Sequence, residues 1–542
     1  MPPLQGRRGP HHLDRTASPL PRLPGHRNHP LTHRTTPDHT RSTAHGRHRG
    51  THHHPCRFGG PPRKVPTITA ALTPAARRAV LNRAARLRQL SETDRDALRI
   101  AQDPNFARWL EQITATGGCS HPVHLSGSTT TYETTTGEIV HHYDTRNEPG
   151  ERLLVRCRNR RATVCAPCSR LHAGDTYHLV RAGLVGGKNV PATVRDRSRF
   201  FLTLTAPSFG AVHRAAERCR PRRDGGTCEH GRLLGCGAVH GATDLIVGQP
   251  LCADCYDYTT HVLWHAHAGQ LWDRFARDVR RRLATAAGFP QSRFPDHARL
   301  SFARVAEYQK RAAVHIHAVV RLDGPDGPND DPPAWATVDR LTDAVRASAR
   351  RVVVHSVYSP AIGELHLHWG SQVNVRPLHT HGDSPDDDAV AAYVAKYVTK
   401  GASETGAGAD HRLTSFDDIE ATPATSHVRT LMRTCWRLGG LTEYAPLRLR
   451  TWAHTLGYRG HILTKSRTYS TTYAALRADR VNHLRAAART LVADPHTATE
   501  SAWRYIGSGH TPGAAQLAAG IAEDLTSSRE NAREAMADWG WA

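Results

Sequence analysis

The sequence contains no long hydrophobic run. Nowhere do about 18 or more apolar residues follow one another, the least that a membrane-spanning helix needs. The N-terminal segment also lacks the apolar stretch of a secretory signal. These absences argue against a membrane protein and predict a cytoplasmic protein without a membrane partner.

Acidic residues are scarce relative to basic ones. The 542-residue chain has 49 Asp and Glu against 72 Lys and Arg, a formal net charge of +23. Such an excess suits a phosphate-rich partner such as DNA. Residues 1–65 are rich in Arg, His and Pro and poor in apolar residues. We predict that this basic tail is disordered, because it cannot bury enough apolar surface to offset the entropy of folding.

Beyond the tail, helix and strand patterns alternate without a repeat, which predicts an α+β fold. Residues 66–198 contain two amphipathic helical segments, "TPAARRAVLNRAARLRQL" and "SETDRDALRIAQDPNFARWLEQIT", followed by a first cysteine-bearing region. Residues 199–402 contain the strand patterns "RFFLTLTAPSF", "RLSFARVAEYQ", "AAVHIHAVVRL" and "SQVNVRPL", with a cysteine-rich insertion at about 211–258. Residues 403–542 are predicted to be mostly helical, either a DNA-binding helix-turn-helix or a helical cap.

The cysteines are more typical of metal ligands than of disulfides, because a reducing compartment disfavours disulfides. The chain has 11 of them, and two CxxC turns can each present two thiolates to a tetrahedral ion. We predict two structural Zn²⁺ sites. The first is formed by Cys119, Cys157, Cys165 and Cys168; the second by Cys228, Cys236, Cys252 and Cys255, with His230 or His240 as possible substitutes. The alternative is a set of buried free thiols.

A His-x-His pair predicts nothing by itself here, because 38 histidines make such pairs common by chance. His315 and His317 differ in lying within an unbroken apolar strand, where both imidazoles face one side and need a polar partner. Glu307 precedes them across the turn "QKRA", so a hairpin would bring its carboxylate beside both rings. These three groups can hold one divalent cation, Mg²⁺ or Mn²⁺, with open positions for phosphate and water. A less favoured pair lies in "GELHLHWG", residues 363–370.

Two tyrosines and two lysines recur at steps of four in "AAYVAKYVTKG". They are Tyr393 and Tyr397, Lys396 and Lys400, and in a helix residues four apart share a face. Spacing alone favours ordinary packing with solvated lysines. Beside a divalent cation, however, a tyrosine hydroxyl can attack a phosphodiester, and a lysine can stabilise the charge that develops. We therefore treat these four residues as candidate catalytic groups.

The segments "FLTLT", "HIHAVV" and "YVAKYVTK" resemble, in that order, the three motifs of HUH-type rolling-circle replication initiators. The last is similar to the two-tyrosine motif of the initiators of single-stranded DNA phages. Further segments between about 110 and 475 resemble the replication initiators of actinobacterial integrative and conjugative plasmids. The resemblance implies an antiparallel-sheet HUH endonuclease core, ferredoxin- or RRM-like, with zinc-binding insertions and flanking helical regions.

The resemblance also implies roles for residues. His315, His317 and Glu307 would bind the catalytic ion, Tyr397 would be the primary nucleophile, and Tyr393 a second nucleophile or an auxiliary group. The implied protein nicks one strand at a plasmid origin, at a single-stranded or cruciform site. It forms a 5′-phosphotyrosyl DNA intermediate and rejoins DNA when rolling-circle replication ends.

Two further points bear on function. No Walker-type GxxxxGK[ST] run is present, so unwinding would require a host helicase, and synthesis a host polymerase. Two alternatives stay open from the sequence. One is a HUH transposase or relaxase, which shares the chemistry. The other is a non-catalytic, zinc-containing DNA-binding regulator, in which the tyrosines only pack.

Overall fold

Helices and antiparallel strands are mixed along the chain, as predicted for an α+β fold. The helices are α1 (Pro74–Gln89), α2 (Glu92–Ala101), α3 (Phe106–Ala115), α4 (Ala166–Val185), α5 (Tyr258–Ala286), α6 (Phe294–His297), α7 (Val338–Arg351), α8 (Pro385–Val398), α9 (Phe416–Ala421), α10 (Ser426–Leu438), α11 (Tyr473–Ala487) and α12 (Pro512–Asp538). The strands are β1 (Val123–Glu133), β2 (Ile139–Asp144), β3 (Leu153–Val155), β4 (Arg199–Leu204), β5 (Arg299–Tyr308), β6 (Val314–Asp323), β7 (Val353–His355), β8 (His366–His368), β9 (Val373–Pro377), β10 (Leu463–Lys465) and β11 (Thr497–Ser508).

This computed structural model describes residues 73–215, 219, 226–378, 385–398, 411–487 and 496–538. The predicted disordered tail, residues 1–65, and the candidate catalytic residue Lys400 lie outside these ranges. The chain from Arg78 onward forms one compact unit. Within the described residues, no helix is both long and apolar enough to cross a membrane.

The central sheet has five antiparallel strands in the order β10-β5-β6-β4-β9. Its faces follow from the alternation of side chains along each strand. On one face, Phe200 and Leu202 of β4 join the large core formed with α5 and α7. On the other face, Phe201 and the strand residues Val305 and Val319 pack with α4 and α8. Helices therefore cover both faces of the sheet, and α8 is the helix that carries the candidate tyrosines.

A second sheet joins segments that are far apart in sequence. Strand β1 pairs with β2, β3 and β11, and its register with β11 runs from Val123 opposite Ser508 to Glu133 opposite Thr497. Strand β11 was not predicted within residues 403–542, a region expected to be mostly helical whose described part contains α9, α10, α11 and α12. Its side chains are exposed along most of its length, so it shows no alternation of apolar and polar residues that would reveal a strand. The partner strand β1 decides its conformation.

The second predicted amphipathic segment forms two helices, α2 and α3, where the pattern predicted one. Pro104 lies between them. A proline disfavours helical geometry in the residue before it, so α2 ends before Pro104 and α3 starts after it. The first segment forms α1, as predicted.

A buried ion pair fixes α8 to the sheet. Arg199, in β4, donates from both terminal nitrogens to the carboxylate of Asp387, near the start of α8. Both residues are almost completely buried. The neighbouring Asp388 is exposed and accepts hydrogen bonds from Arg181 and Tyr177 of α4. The two adjacent carboxylates thus anchor the same helix in very different surroundings.

We expect Asp387→Ala to destabilise the protein by about 3–5 kcal/mol, because it leaves the guanidinium of Arg199 buried and unpaired. Asp388→Ala removes a solvent-exposed pair at the next position and should cost only about 0–1 kcal/mol. Urea denaturation followed by circular dichroism measures both. Equal losses for the two variants would show that the buried pair does not hold α8.

Candidate active site and Cys/His clusters

Three ligand atoms of the central sheet converge at one point. Nε2 of His315 lies 2.8 Å from Oε2 of Glu307, and Nε2 of His317 lies 3.1 Å from the same oxygen. The two Nε2 atoms are 3.1 Å apart. The register of the β5–β6 hairpin produces this contact, because Glu307 lies directly opposite His315. The structure thus brings together the three residues that the sequence predicted as ligands of one divalent cation.

The strand β4 contributes two side chains to this cluster that the sequence analysis did not select. Oγ1 of Thr203 lies 2.9 Å from Nδ1 of His317. The ring of Phe201 stacks on the His317 imidazole, with centroids 5.5 Å apart and an angle of 10°. A proton on Nδ1 that is donated to Thr203 leaves the Nε2 lone pair free to bind an ion. Both residues lie in "FLTLT", so this strand motif could have identified them as site residues from the sequence.

The turn of the β5–β6 hairpin is stabilised by hydrogen bonds to the segment that follows β4. Within the turn, the amide of Ala312 donates to the carbonyl of Gln309, and Ala312 has φ 61°. The side chain of Arg311 donates to the carbonyls of Ala206 and Pro207, just after β4. The turn therefore connects the end of β4 to the two strands that carry the cluster.

The tyrosines of α8 lie over the three ligand atoms. The hydroxyl of Tyr393 is 3.1 Å from Nε2 of His317. The rings of Tyr393 and Tyr397 are 4.5 Å apart, and the Tyr397 ring lies 6.0 Å from the His317 imidazole. Both tyrosines are partly exposed, and the side chains of His315 and Glu307 are 15% and 16% exposed, so solvent reaches the cluster.

A lysine accompanies the second tyrosine. Nζ of Lys396 lies 5.9 Å from the centre of the Tyr397 ring, and Lys396 is exposed. Close by, Arg160 donates a hydrogen bond of 3.1 Å to the carbonyl of Val398, the last residue of α8. Positive charge therefore gathers at the C-terminal end of the tyrosine helix, where the helix dipole favours it.

The pKa values of Glu307 and His317 are shifted in the directions that favour binding of a cation. Burial raises the pKa of Glu307, but its hydrogen bonds and charge interactions with His315 and His317 outweigh burial and place the pKa at about 2. Burial lowers the pKa of His317. At neutral pH the carboxylate is charged and this imidazole is neutral, which are the forms that bind metal ions. Burial also raises the pKa of Tyr393, and its hydrogen bond with Tyr397 raises it further.

The first predicted zinc set assembles at the start of α4. Its four members are Cys119, Cys157, Cys165 and Cys168. The sulfur of Cys119 lies 3.8 Å from that of Cys165 and 3.6 Å from that of Cys168. Ligands about 2.3 Å from a tetrahedral ion lie about 3.8 Å apart, so these spacings fit a zinc site.

The second predicted set is divided by the structure. Cys228, Cys252 and Cys255 lie together with His230, whose Nδ1 is 3.2 Å from the sulfur of Cys255. Cys236 is not in this group. It belongs to a separate cluster with Cys219 and two histidines. The sequence could not separate the two groups, because their members alternate along one stretch of chain.

The structure separates the two histidines of the less favoured His-x-His pair. His366 lies with His355 and Glu364, and all three are exposed. Nδ1 of His368 is instead 2.8 Å from the carbonyl of Trp369. The strand pairing of β7 with β8 sets His366 opposite His355 and therefore separates the roles of the two histidines.

The core of this chain is an antiparallel sheet that presents two histidines and a glutamate beneath paired tyrosines. Comparison with known sequences shows that the chain is similar to replication initiator proteins. The chain is 47% identical, over 455 residues, to the "Replication initiator protein" of Streptomyces ambofaciens; the match covers 82% of this chain and 95% of that protein.

The family model described as "RepSA: Replication initiator protein, pSAM2" matches residues 105–523. The chain belongs to this replication initiator family. The matched range includes the central sheet, the tyrosine helix and all the cysteine clusters described above. No solved structure matches the chain.

Proposed function

We propose that this replication initiator is a HUH-type endonuclease that nicks one strand at a plasmid origin through tyrosine attack. The observation that carries the proposal is the position of the Tyr393 hydroxyl, 3.1 Å from Nε2 of His317, with Tyr397 beside it. Packing alone does not require two phenols to lie over converging Glu and His ligand atoms. A phosphate held at this cluster would meet a nucleophile.

The three ligand atoms fit a divalent cation. Cis ligands of an octahedral ion with bonds of about 2.1 Å lie about 3.0 Å apart. The spacings here are 2.8 Å between His315 and Glu307, 3.1 Å between His317 and Glu307 and 3.1 Å between the two histidines. Two imidazoles and a carboxylate leave further coordination positions open. When bound, Mg²⁺ or Mn²⁺ would polarise the scissile phosphate and orient it for displacement.

The residues of the chain supply the remaining chemistry. The Tyr397 oxygen attacks phosphorus, the bond from phosphorus to the 3′ oxygen breaks, and the proton lost by the phenol ends on that leaving oxygen, directly or through solvent. The products are a 5′-phosphotyrosyl link and a free 3′-hydroxyl. The ammonium group of Lys396, beside the Tyr397 ring, favours the negative charge that develops. Because the link conserves the energy of the broken bond, the same site can rejoin DNA.

Tyr393 suits a second, reciprocal reaction. Its hydroxyl shares a hydrogen bond with that of Tyr397 and also contacts His317. Two phenols that reach the same ligand atoms can act in turn, one holding a DNA end while the other attacks the next strand. This arrangement supports a role for Tyr393 at termination, in addition to the primary role of Tyr397.

We also propose that two of the Cys/His clusters bind structural Zn²⁺. The first Cys/His cluster consists of Cys119, Cys157, Cys165 and Cys168, and the second of Cys228, His230, Cys252 and Cys255. Backbone amides point at the sulfurs of the first cluster: the amide of Cys157 donates to Cys119, and that of Ser120 to Cys165. Such bonds stabilise thiolates, which are the form that binds zinc. The partners of the initiator would be origin DNA, favoured by the net charge of +23, and the host helicase and polymerase.

Replacing Tyr397 with Phe should lower nicking of a supercoiled plasmid that carries the origin by at least about 10³-fold, because the variant lacks the oxygen proposed to attack in the first cleavage, whereas Tyr393 is assigned to termination. The Tyr393→Phe variant should still nick but should fail to transfer the strand at termination. Gel electrophoresis measures nicking, and mass spectrometry of a trapped oligonucleotide adduct identifies the tyrosine. The control is Tyr358→Phe at an exposed position away from the cluster. Undiminished nicking by Tyr397→Phe would refute the assignment.

Replacing Thr203 with Val should weaken Mn²⁺ binding about 10- to 100-fold, because Nδ1 of His317 loses its partner. Thr203→Ser keeps the hydroxyl and should restore affinity. Titration calorimetry in the absence of DNA measures the dissociation constant. Glu307→Gln should remove binding almost entirely; a variant that binds Mn²⁺ like the wild type would place the ion elsewhere.

A further inference from the structure

The insertion between β4 and α5, residues 205–257, has no regular secondary structure in its described part. Its described residues form no helix or strand, only isolated bridges such as Val212 with Pro250. Several of its large apolar side chains face solvent; Leu245 is 80% exposed and Val239 is 69% exposed. Phe209 and Tyr256, near its two ends, join the large core, but between them hydrophobic burial contributes little. Another interaction must order this middle part.

Two separate clusters of ligand residues lie in the insertion. One is the second Cys/His cluster described above. The other, the third cluster, consists of His213, Cys219, Cys236 and His240. All four ligand atoms of the third cluster lie within 4.8 Å of one another. Cys219 and His240 are buried.

The spacings in the third cluster lie within a few tenths of an ångström of those around a tetrahedral ion. Nδ1 of His213 is 3.2 Å from Nε2 of His240, the Cys236 sulfur is 3.0 Å from Nε2 of His240, and the Cys219 sulfur is 4.0 Å from Nδ1 of His213. Two nitrogens and two sulfurs around zinc lie about 3.3–3.8 Å apart. The carboxylate of Asp244 lies 4.0 Å from the other ring nitrogen of His240, on the side where a partner for a ligating histidine is expected.

The backbone brings these four residues together from both ends of a loop. The amide of Cys219 donates to the carbonyl of Ala238, and the amide of Gly237 donates back to the carbonyl of Cys219. This reciprocal pair sets Cys219 beside the segment that carries Cys236 and His240. The cluster is therefore built by a defined pairing, in addition to the proximity of its side chains.

We propose that the third cluster is a zinc site of the Cys₂His₂ type, separate from the second, and that it holds the insertion against the turn of the β5–β6 hairpin. The connection runs through His213, whose amide and carbonyl pair with the carbonyl of Gln249 and the amide of Gly248. Gly248, at φ +88°, touches the hairpin turn: a Cβ there would lie 2.2 Å from the carbonyl carbon of Lys310. Three residues before Lys310 is Glu307 of the ion cluster.

The cadmium-loaded wild-type protein tests the site without any substitution. ¹¹³Cd NMR separates sites by thiolate number, so Cys₄, Cys₃His and Cys₂His₂ sites should give three resonances of decreasing shift. Only two thiolate-type resonances, with none in the Cys₂His₂ range, would overturn the proposal. This measurement does not depend on nicking, so it stands apart from the proposed endonuclease function.

Two matched variants of the full chain test the separation of the clusters. Cys236→Ser should lower the zinc content by one ion per chain, as measured by native mass spectrometry; Cys255→Ser should lower it by one from the other cluster; the double variant should lose two. Hydrogen exchange at the amides of residues 309–313 should be faster in Cys236→Ser than in the wild type. An unchanged zinc content in Cys236→Ser would overturn the site, and unchanged exchange would overturn its role at the hairpin.

Discussion

The register of the β5–β6 hairpin is the constraint on which the candidate active site depends. A slip of one residue would move Glu307 to the opposite face of the sheet and separate it from both histidines. The far end of the hairpin holds this register. There, buried Asp323 of β6 accepts hydrogen bonds from Ser301 of β5 and from Arg197, just before β4. The ion cluster at one end is therefore positioned by a polar network at the other.

The tyrosine helix is set over this hairpin by contacts at both of its ends. Asp387 pairs with Arg199 in the sheet, and the carbonyl of Val398 accepts from Arg160. Arg160 lies close to the first cysteine cluster, and its own carbonyl accepts a hydrogen bond from Ser169 of α4. The first cysteine cluster is thus connected to the helix that carries the proposed nucleophile. If the ion proposed for this cluster were lost, we expect Arg160 to shift and the position of the tyrosine helix to change with it.

We propose that two different means of stabilisation coexist in one chain. The central sheet is ordered by apolar side chains on both of its faces. The middle of the insertion after β4 exposes large apolar side chains such as Leu245 and Val239 and has two clusters of four ligand residues. Chelation of an ion can replace a core because the binding free energy becomes folding free energy.

The sequence by itself determined the elements whose signal is local. The apolar strand around His315 and His317, the turn before it, Glu307 and the helix of Tyr393 and Tyr397 were all readable, because each depends on spacing within about ten residues. Only the tertiary structure decided what depends on distant partners. It made a strand of exposed β11 by pairing it with β1, assigned Cys236 to the third cluster in place of the second, and placed Thr203 against His317. The physical reason is the same in each case: the deciding contact lies outside the segment, so no local pattern encodes it.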